Sequence, residues 1–311
     1  MAIEHASVQA VRKPWGVADL NPWSRIDGSE GAIGELWFQR VDKNAPSSAL
    51  LLKLLFTSEP LSIQVHPDDE FARSIGLPNG KTEAWYVLAA MPDARVAVGL
   101  KRHLTPQELR VAIRDGSIAS LTQWRPVVKD EIIFIPAGTI HAIGAGIVLA
   151  EIQQRSDVTF RLFDYGRQRE LHEASAVAAS DAGPVQTQAA PRHLTAARTV
   201  LIASPHFVLE RVDLPANSIW ALNADQETWL LVIAGHARIG LAGGSVGDAV
   251  FVEADRAGIE VGPDGMSGLM AYPGPDPIMP LLQESGEQMT KSAGTSAVRS
   301  PKPEEIVEGQ T

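Results

Sequence analysis

A histidine, an amide and a carboxylate on two neighbouring segments have the types and spacing of a metal site. Residues 61–66 alternate between apolar and polar side chains, which predicts a strand with Gln64 and His66 on one face. After a polar loop, Lys81 and Glu83 stand two residues apart and share a face of a second strand. Such nitrogen and oxygen ligands suit zinc or another borderline divalent cation. His141, which follows a Pro-Ala-Gly turn, is the candidate for a fourth ligand.

The composition limits the partners that the chain can have. Its 311 residues carry a formal net charge of −10, which disfavours non-specific binding to nucleic acid or to a membrane surface. An anionic substrate would need a locally basic pocket. Cysteine is absent, so disulfides are excluded and a metal site must use nitrogen and oxygen ligands.

Two features of the sequence predict a cytoplasmic protein. The N-terminal segment lacks the apolar core of a signal peptide. The longest apolar run, 142–150, is too short and too rich in glycine to span a bilayer.

Short strands joined by turns are the predicted elements, because the chain contains 26 glycines and 21 prolines. The nearly continuous apolar run 49–56 predicts a strand buried on both faces. It is interrupted by Lys53, which we interpret as a snorkelling or edge lysine. The period changes at Thr105-Pro-Gln-Glu108, a capping box with proline at the first helical position, which predicts a helix over 105–115.

The order of these patterns predicts two β-rich domains. We expect a catalytic, metal-binding domain over 1–180, with a helical segment at about 101–125, and a linker over 181–199. A second, barrel-like domain follows over 200–283. It carries His206 and His236 without a Gln-x-His or Lys-x-Glu companion, so we expect it to lack a metal. The tail, 284–311, is nearly free of large apolar residues and is predicted to be disordered.

Four motifs in sequence order resemble the type I mannose-6-phosphate isomerases in their short bacterial form. They are Q-V-H-P-D at 64–68, G-K-T-E-A-W-Y at 80–86, P-A-G-T-I-H-A-I-G-A-G at 136–146 and E-I-Q-Q-R-S-D-V-T-F-R at 151–161. The resemblance covers about 13–169. It implies a mainly β fold of two cupin-type (jelly-roll) barrels with one zinc ion per chain. The metal ligands that it implies are Gln64, His66, Glu83 and His141.

The resemblance also implies a reaction, the interconversion of mannose 6-phosphate and fructose 6-phosphate through a cis-enediol. Such a site needs a base, a group that stabilises charge and an anchor for phosphate. The catalytic residues carried over by the motifs are Lys81, Glu151, Asp157 and Arg161. Either Glu151 or Asp157 could relay the proton. Arg161 projects from one face of a strand and would stabilise charge on the sugar oxygens.

The phosphate of this substrate would be bound by Ser62 and Arg167. Ser62 shares the polar strand face with Gln64 and His66, and Arg167 follows Arg161 by six residues. Two other basic residues of the segment, Arg155 and Arg169, are interpreted as surface residues.

Two other functions stay open at this point. The first is a non-catalytic cupin that binds a sugar phosphate, which the intact set of candidate residues disfavours. The second is a cupin metalloenzyme of another type, such as an iron-dependent dioxygenase, in which the sugar-site motifs would have no role. A small-molecule sugar phosphate is the expected partner, and both a monomer and a homodimer are compatible with the sequence.

Overall fold

The computed structural model describes residues 2–186 and 188–285, and within these ranges the chain is mainly β. Strands β1 to β12 are Ala2–His5, Ser7–Val17, Ile33–Gln39, Leu50–Thr57, Ile63–Val65, Glu83–Ala90, Arg95–Leu100, Thr122–Pro126, Ile132–Ile135, His141–Ile143, Ile147–Gln154 and Phe160–Phe163. Strands β13 to β21 are Arg192–His193, Arg198–Ala203, Phe207–Leu214, Ile219–Ala224, Thr228–Ile239, Ala242–Ser245, Ala249–Glu253, Asp255–Pro273 and Leu282–Glu284. Helices α1 to α4 are Asp69–Ser74, Pro106–Asp115, Ile118–Leu121 and Glu173–Ala179.

Two antiparallel sheets form the first barrel, with the strand orders β2-β3-β4-β11-β6-β9 and β12-β5-β10-β7-β8. Successive side chains of a strand point to opposite faces. In β4, Leu55 packs between the two sheets, whereas Leu54 and Phe56 pack against the second barrel. Every residue of β4 is therefore buried, which confirms the predicted strand with two buried faces.

Helix α2 confirms the predicted capping box. The Thr105 side chain accepts a hydrogen bond from the Glu108 N–H, and the Glu108 carboxylate accepts one from the Thr105 N–H. The helix ends at Gly116, whose φ of 77° favours glycine. Its apolar face packs on the outer face of the five-stranded sheet. The segment predicted as helical over about 101–125 therefore contains α2 and α3, and β8 begins at Thr122.

Two helices were not predicted. Asp68 caps α1 by accepting a hydrogen bond from the Phe71 N–H, in a stretch interpreted as a polar loop. Helix α4 lies just before the predicted linker, in an alanine-rich stretch whose composition resembles that of a linker. Ala176 and Val177 of α4 are buried against the five-stranded sheet, so this part of the chain belongs to the first barrel.

The second barrel consists of β1 and β13 to β21 in a ten-stranded sheet. Strand β1 pairs with β19, so the first described residues belong to this barrel rather than to the first domain as predicted from the sequence. The predicted fold class, mainly β with two cupin-type barrels and a small helical segment, is confirmed. The predicted tail, 284–311, lies outside the described residues from 286 onward. Nowhere in the described ranges does a helix have the length and apolar character needed to cross a membrane.

Candidate active site

Short strands of both sheets bring the predicted metal ligands to the inner face of the first barrel. Strand β5 lies between β12 and β10, and Gln64 is in register with His141 on one side and with Arg161 on the other. Ile63 and Val65 pack on the opposite face, under the helices. Alternation therefore directs Gln64 and His66 into the barrel, as the sequence predicted.

Three side chains converge there into one cluster. His66, Glu83 and His141 are at most 1% exposed, and each offers a ligand atom within 4.8 Å of the others. The Nε2 atom of His66 lies 3.5 Å from Oε2 of Glu83. The Nε2 atom of His141 lies 3.4 Å from Oε1 of the same carboxylate. This is the only such cluster of histidine and acidic side chains in the described part of the chain.

The backbone fixes both imidazoles with Nε2 facing the cluster. His66 Nδ1 is 2.8 Å from the carbonyl oxygen of Val158, and His141 Nδ1 is 2.9 Å from that of Thr139. A carbonyl can only accept, so each Nδ1 carries the proton and each Nε2 keeps its lone pair. Burial lowers the pKa of His141 to about 4. Burial and the Lys81 charge hold the pKa of His66 well below its usual range.

The cluster fits a divalent metal ion. Two neutral imidazoles and one carboxylate are a common ligand set for zinc, and hydrogen bonds from Nδ1 to carbonyl groups are the usual outer partners of such ligands. Gln64 borders the cluster, with its side-chain nitrogen 3.3 Å from His141 Nε2 and its oxygen accepting from Ser62 Oγ at 3.2 Å. Exchanging the two ends of the amide would direct the oxygen toward the cluster. A ligand role for Gln64 stays a prediction.

Lys81 and Glu151 lie next to the cluster. Lys81 Nζ is 2.7 Å from Oε2 of Glu83 and 3.9 Å from Oε1 of Glu151. Burial favours the neutral amine, but the charges of Glu151 and Glu83 outweigh this effect and raise the pKa of Lys81. Burial and the Glu83 charge raise the pKa of Glu151. A raised carboxyl pKa, as in Glu151, is typical of groups that move protons, whereas the raised pKa of Lys81 keeps its amine charged.

A row of charges missed by the sequence analysis continues along the same sheet. Lys53 is 2% exposed and lies 3.3, 3.6 and 3.8 Å from carboxylate oxygens of Asp157, Glu151 and Glu35. Glu35 in turn lies 3.0 Å from Lys13 Nζ. The interpretation of Lys53 as a snorkelling or edge lysine is wrong, because β4 is a central strand and Lys53 is on its inner face. A lysine at an inward position of a strand buried on both faces was the signal available in the sequence.

These groups line a cavity of about 220 Å³ inside the barrel. Ser62, Lys81, Glu151, Asp157 and Arg161 all contribute to its wall, so the structure brings together most of the predicted site. Asp157 is at the open end, with a side chain 58% exposed. Further lining residues include Lys13, Trp15, Glu35, Lys53 and Arg169, none of which was predicted as a site residue.

Arg161 lines this cavity and has one buried guanidinium nitrogen without a hydrogen-bond partner among the described residues. Its Nη1 donates to the Glu170 carbonyl at 2.8 Å. Its Nε is buried and has no hydrogen-bond partner within residues 2–186 and 188–285. A buried donor without a partner is costly, and the described residues supply no acceptor for Nε.

Arg167 does not line the cavity. Its Nε donates to Asp164 at 3.1 Å, its Nη1 is 3.4 Å from Glu59 Oε2, and its Nη2 donates to the Pro60 carbonyl at 2.8 Å. All three guanidinium nitrogens thus have protein partners. The role of Arg167 as a phosphate ligand stays a prediction that these contacts do not favour.

The chain resembles mannose-6-phosphate isomerases in sequence. No protein-family model matches it. It is 34% identical over 206 residues to the mannose-6-phosphate isomerase of Streptococcus mutans, a match that covers 63% of this chain and 65% of that relative. It is 41% identical over 130 residues to the mannose-6-phosphate isomerase ManA of Bacillus subtilis, covering 40% and 41% of the two chains. The matches therefore span less than two thirds of the length of these curated relatives.

The fold is also shared with solved structures. The mannose 6-phosphate isomerase of Bacillus subtilis aligns with a TM-score of 0.76 at 23% identity, covering 88% of this chain and 100% of that one. A putative mannosephosphate isomerase from Archaeoglobus fulgidus aligns with a TM-score of 0.68 at 17% identity, covering 88% and 97%. The resemblance predicted from the four motifs is confirmed by these comparisons.

Proposed function

We propose that this chain is a metal-dependent mannose-6-phosphate isomerase, which interconverts mannose 6-phosphate and fructose 6-phosphate. The observation that carries the proposal is the buried cluster of His66, Glu83 and His141 beside a cavity lined by Lys81, Glu151 and Arg161. The similarity to relatives of that name agrees with it. We propose zinc as the metal, held by these three residues with Gln64 as a candidate fourth ligand. When bound, the ion supplies Lewis-acid stabilisation of negative charge on the sugar oxygens.

Proton transfer would be the task of the buried ionisable groups. The reaction removes a proton from carbon 2 and adds one to carbon 1 through a cis-enediol, so one group must act first as a base and then as an acid. Glu151 and Lys81 lie together in the wall with shifted pKa values. Asp157 is further out and paired with Lys53, and Glu151 is therefore the better placed of the two predicted carboxylates.

Charge stabilisation would fall to Arg161. Arg161 lines the cavity, and its guanidinium is anchored through Nη1 to the Glu170 carbonyl, so its charge is held in place beside the proposed substrate site. A donor fixed before the reaction stabilises the transition state without reorganisation.

An isomerase assay tests the proposal. Purified protein is incubated with mannose 6-phosphate and the formation of fructose 6-phosphate is followed, before and after treatment with a chelator and after addition of zinc, manganese or iron. We expect activity that disappears with the chelator and returns most fully with zinc. A protein that contains stoichiometric metal but forms no fructose 6-phosphate would refute the proposed activity. If it still binds the sugar phosphate, it is the non-catalytic binding protein.

The oligomeric state, monomer or homodimer, and the cytoplasmic location stay predictions.

A further inference from the structure

The charges that line the cavity do not balance. Three lysines face three carboxylates: Lys13 lies beside Glu35, Lys53 beside Glu35, Glu151 and Asp157, and Lys81 beside Glu151. Two lining residues remain, Arg161 and Arg169, and no carboxylate of the cavity wall pairs with either. The wall thus has five cationic side chains and three carboxylates, in a chain of net charge −10, and Asp164 behind the wall pairs with Arg169. A phosphate monoester near neutral pH carries a charge of about −1.5 to −2 and would be attracted to a wall on which cations outnumber carboxylates.

Arg169 is held from behind. Its Nε and Nη2 donate to the two oxygens of Asp164 at 2.7 and 2.5 Å. Asp164 is 4% exposed and does not line the cavity. Burial favours a neutral carboxyl, but the hydrogen bonds and charges of Arg169 and Arg167 outweigh it and lower the pKa of Asp164. The bidentate contact fixes one edge of the Arg169 guanidinium, as such pairs do.

The remaining face and edge of Arg169 are turned to the cavity wall. Its guanidinium carbon lies 5.1 Å from the ring centroid of Trp15, which also lines the cavity. Its Nη1 makes no hydrogen bond to any described residue, in contrast to Arg167, whose three nitrogens are all engaged. None of its contacts involves the metal-ligand cluster. Arg169 is thus a cation of the cavity wall whose orientation is fixed by Asp164.

We infer that Arg169, positioned by Asp164, binds the phosphate group of the substrate in the role that the sequence suggested for Arg167. The inference rests on the proposed function, because it assumes a substrate with a phosphate at one end and its reacting carbons at the other. Arg167 shares Asp164 but serves to tie the 164–167 turn to Glu59 and Pro60.

Arg169→Ala, compared with Arg167→Gln, tests the inference. We expect Arg169→Ala to raise KM for mannose 6-phosphate and the inhibition constant of inorganic phosphate by ~10- to 100-fold, the usual effect of losing a charge-assisted hydrogen bond to a dianion. Turnover should change much less. Arg169→Lys should recover part of the loss. Arg167→Gln should raise both constants by less than about threefold, a small change of the kind expected where no direct contact is lost.

Asp164→Asn tests the positioning role. In the wild-type background it should raise the inhibition constant of phosphate, because a neutral amide holds Arg169 less firmly. In the Arg169→Ala background it should add little, because the group that it positions is gone. Equal effects in both backgrounds would show that Asp164 acts only on the stability of the turn.

Binding of inorganic phosphate, measured by calorimetry, separates this inference from the proposed function. Wild-type protein that binds phosphate but has no isomerase activity would refute the function and leave the phosphate site to be judged by the variants. Unchanged phosphate binding in Arg169→Ala, or loss of binding in Arg167→Gln alone, would overturn the assignment in either case.

Discussion

The two barrels share an architecture and differ at their inward-facing positions. The interior of the second barrel is packed with apolar side chains from β14 to β20. The interior of the first barrel has an apolar half, around Trp85 and Leu149, and a half lined with histidines, lysines and carboxylates. The same barrel architecture therefore accommodates either an apolar interior or an interior lined partly by charged side chains. What the molecule can do is decided by which residues occupy the inward positions, as for other widely used folds.

Buried charges in the two barrels also differ in how completely they are satisfied. In the second barrel Arg198 donates to both oxygens of Glu210 and to the carbonyls of Ile278 and Met279. Tyr272 adds a hydrogen bond to Glu210, so this cluster is closed and links the end of the described chain to the barrel. In the first barrel the charges border a cavity and leave donors such as Arg161 Nε free. Closed clusters stabilise structure, whereas open ones are available to a ligand.

Removing one proposed metal ligand should abolish the metal binding that we propose for the first barrel alone. His141→Ala should lose bound metal and at least ~100-fold in activity, since even loss of an outer-shell partner costs ~10- to 100-fold. The protein should stay folded, because the ring is one of several groups in the cluster. Metal content by mass spectrometry, circular dichroism and the isomerase assay check this. His236→Ala, an exposed histidine of the second barrel, is the matched control and should keep metal and activity. Full metal occupancy in His141→Ala would remove that residue from the ligand set.

Arg161→Ala should sharpen the comparison, because it changes the cavity and leaves the metal in place. We expect turnover to fall by ~100- to 1000-fold, as when a preorganised donor is removed, with a much smaller change in KM. Steady-state kinetics and metal analysis on the same preparation check it. Arg238→Ala, which removes an exposed arginine of the second barrel, should leave both constants unchanged. A turnover number equal to that of the wild type would exclude a transition-state role for Arg161.

Deleting a buried cation from each barrel tests whether closed and open clusters differ. Arg198→Met should destabilise the fold by ~3–5 kcal/mol, because it leaves Glu210 buried without a cation. Lys53→Met should destabilise it less, because Glu35 keeps Lys13 and Glu151 keeps Lys81. Only Lys53→Met should also reduce turnover per folded molecule. Urea unfolding and kinetics, normalised to the folded fraction at low temperature, measure the two effects. Equal turnover in the two variants would show that Lys53, too, is purely structural.

The sequence predicted those site residues that lie on strands, because alternation along a strand determines the face from which each side chain projects. Gln64, His66, Glu83 and Arg161 lie on predicted strands, and a period of two assigns each to the inner face once one neighbour is known to be core. Lys53 obeys the same rule. Its inward partners, however, come from three other segments, so no local pattern distinguished it from an edge lysine.

Residues outside regular strands could not be assigned in this way. Arg167 and Arg169 follow a turn in which Tyr165 and Gly166 have φ values of 52° and 82°. The turn decides which arginine reaches the cavity, and that depends on contacts with Asp164 and Trp15 rather than on spacing. Helix α4 was missed for a related reason: alanine favours helices, but the burial that stabilises α4 comes from the distant sheet.

A substitution in the capping box of helix α2 should have the smallest effect of those considered, and it should change only the stability of the fold. Thr105→Ala should cost ~1 kcal/mol of unfolding free energy, the usual value for an N-cap, and leave kinetics unchanged. Hydrogen bonds from the Thr105 N–H and hydroxyl lower the pKa of Glu108 to about 2, so its contribution is present above pH 4.5 and is lost as the pH falls through about 2. Denaturant melts of wild type and variant at pH 7 and pH 3 check both points. A change in KM would mean that α2, which packs on the outer face of the sheet bearing Gln64 and His141, transmits strain to the cavity.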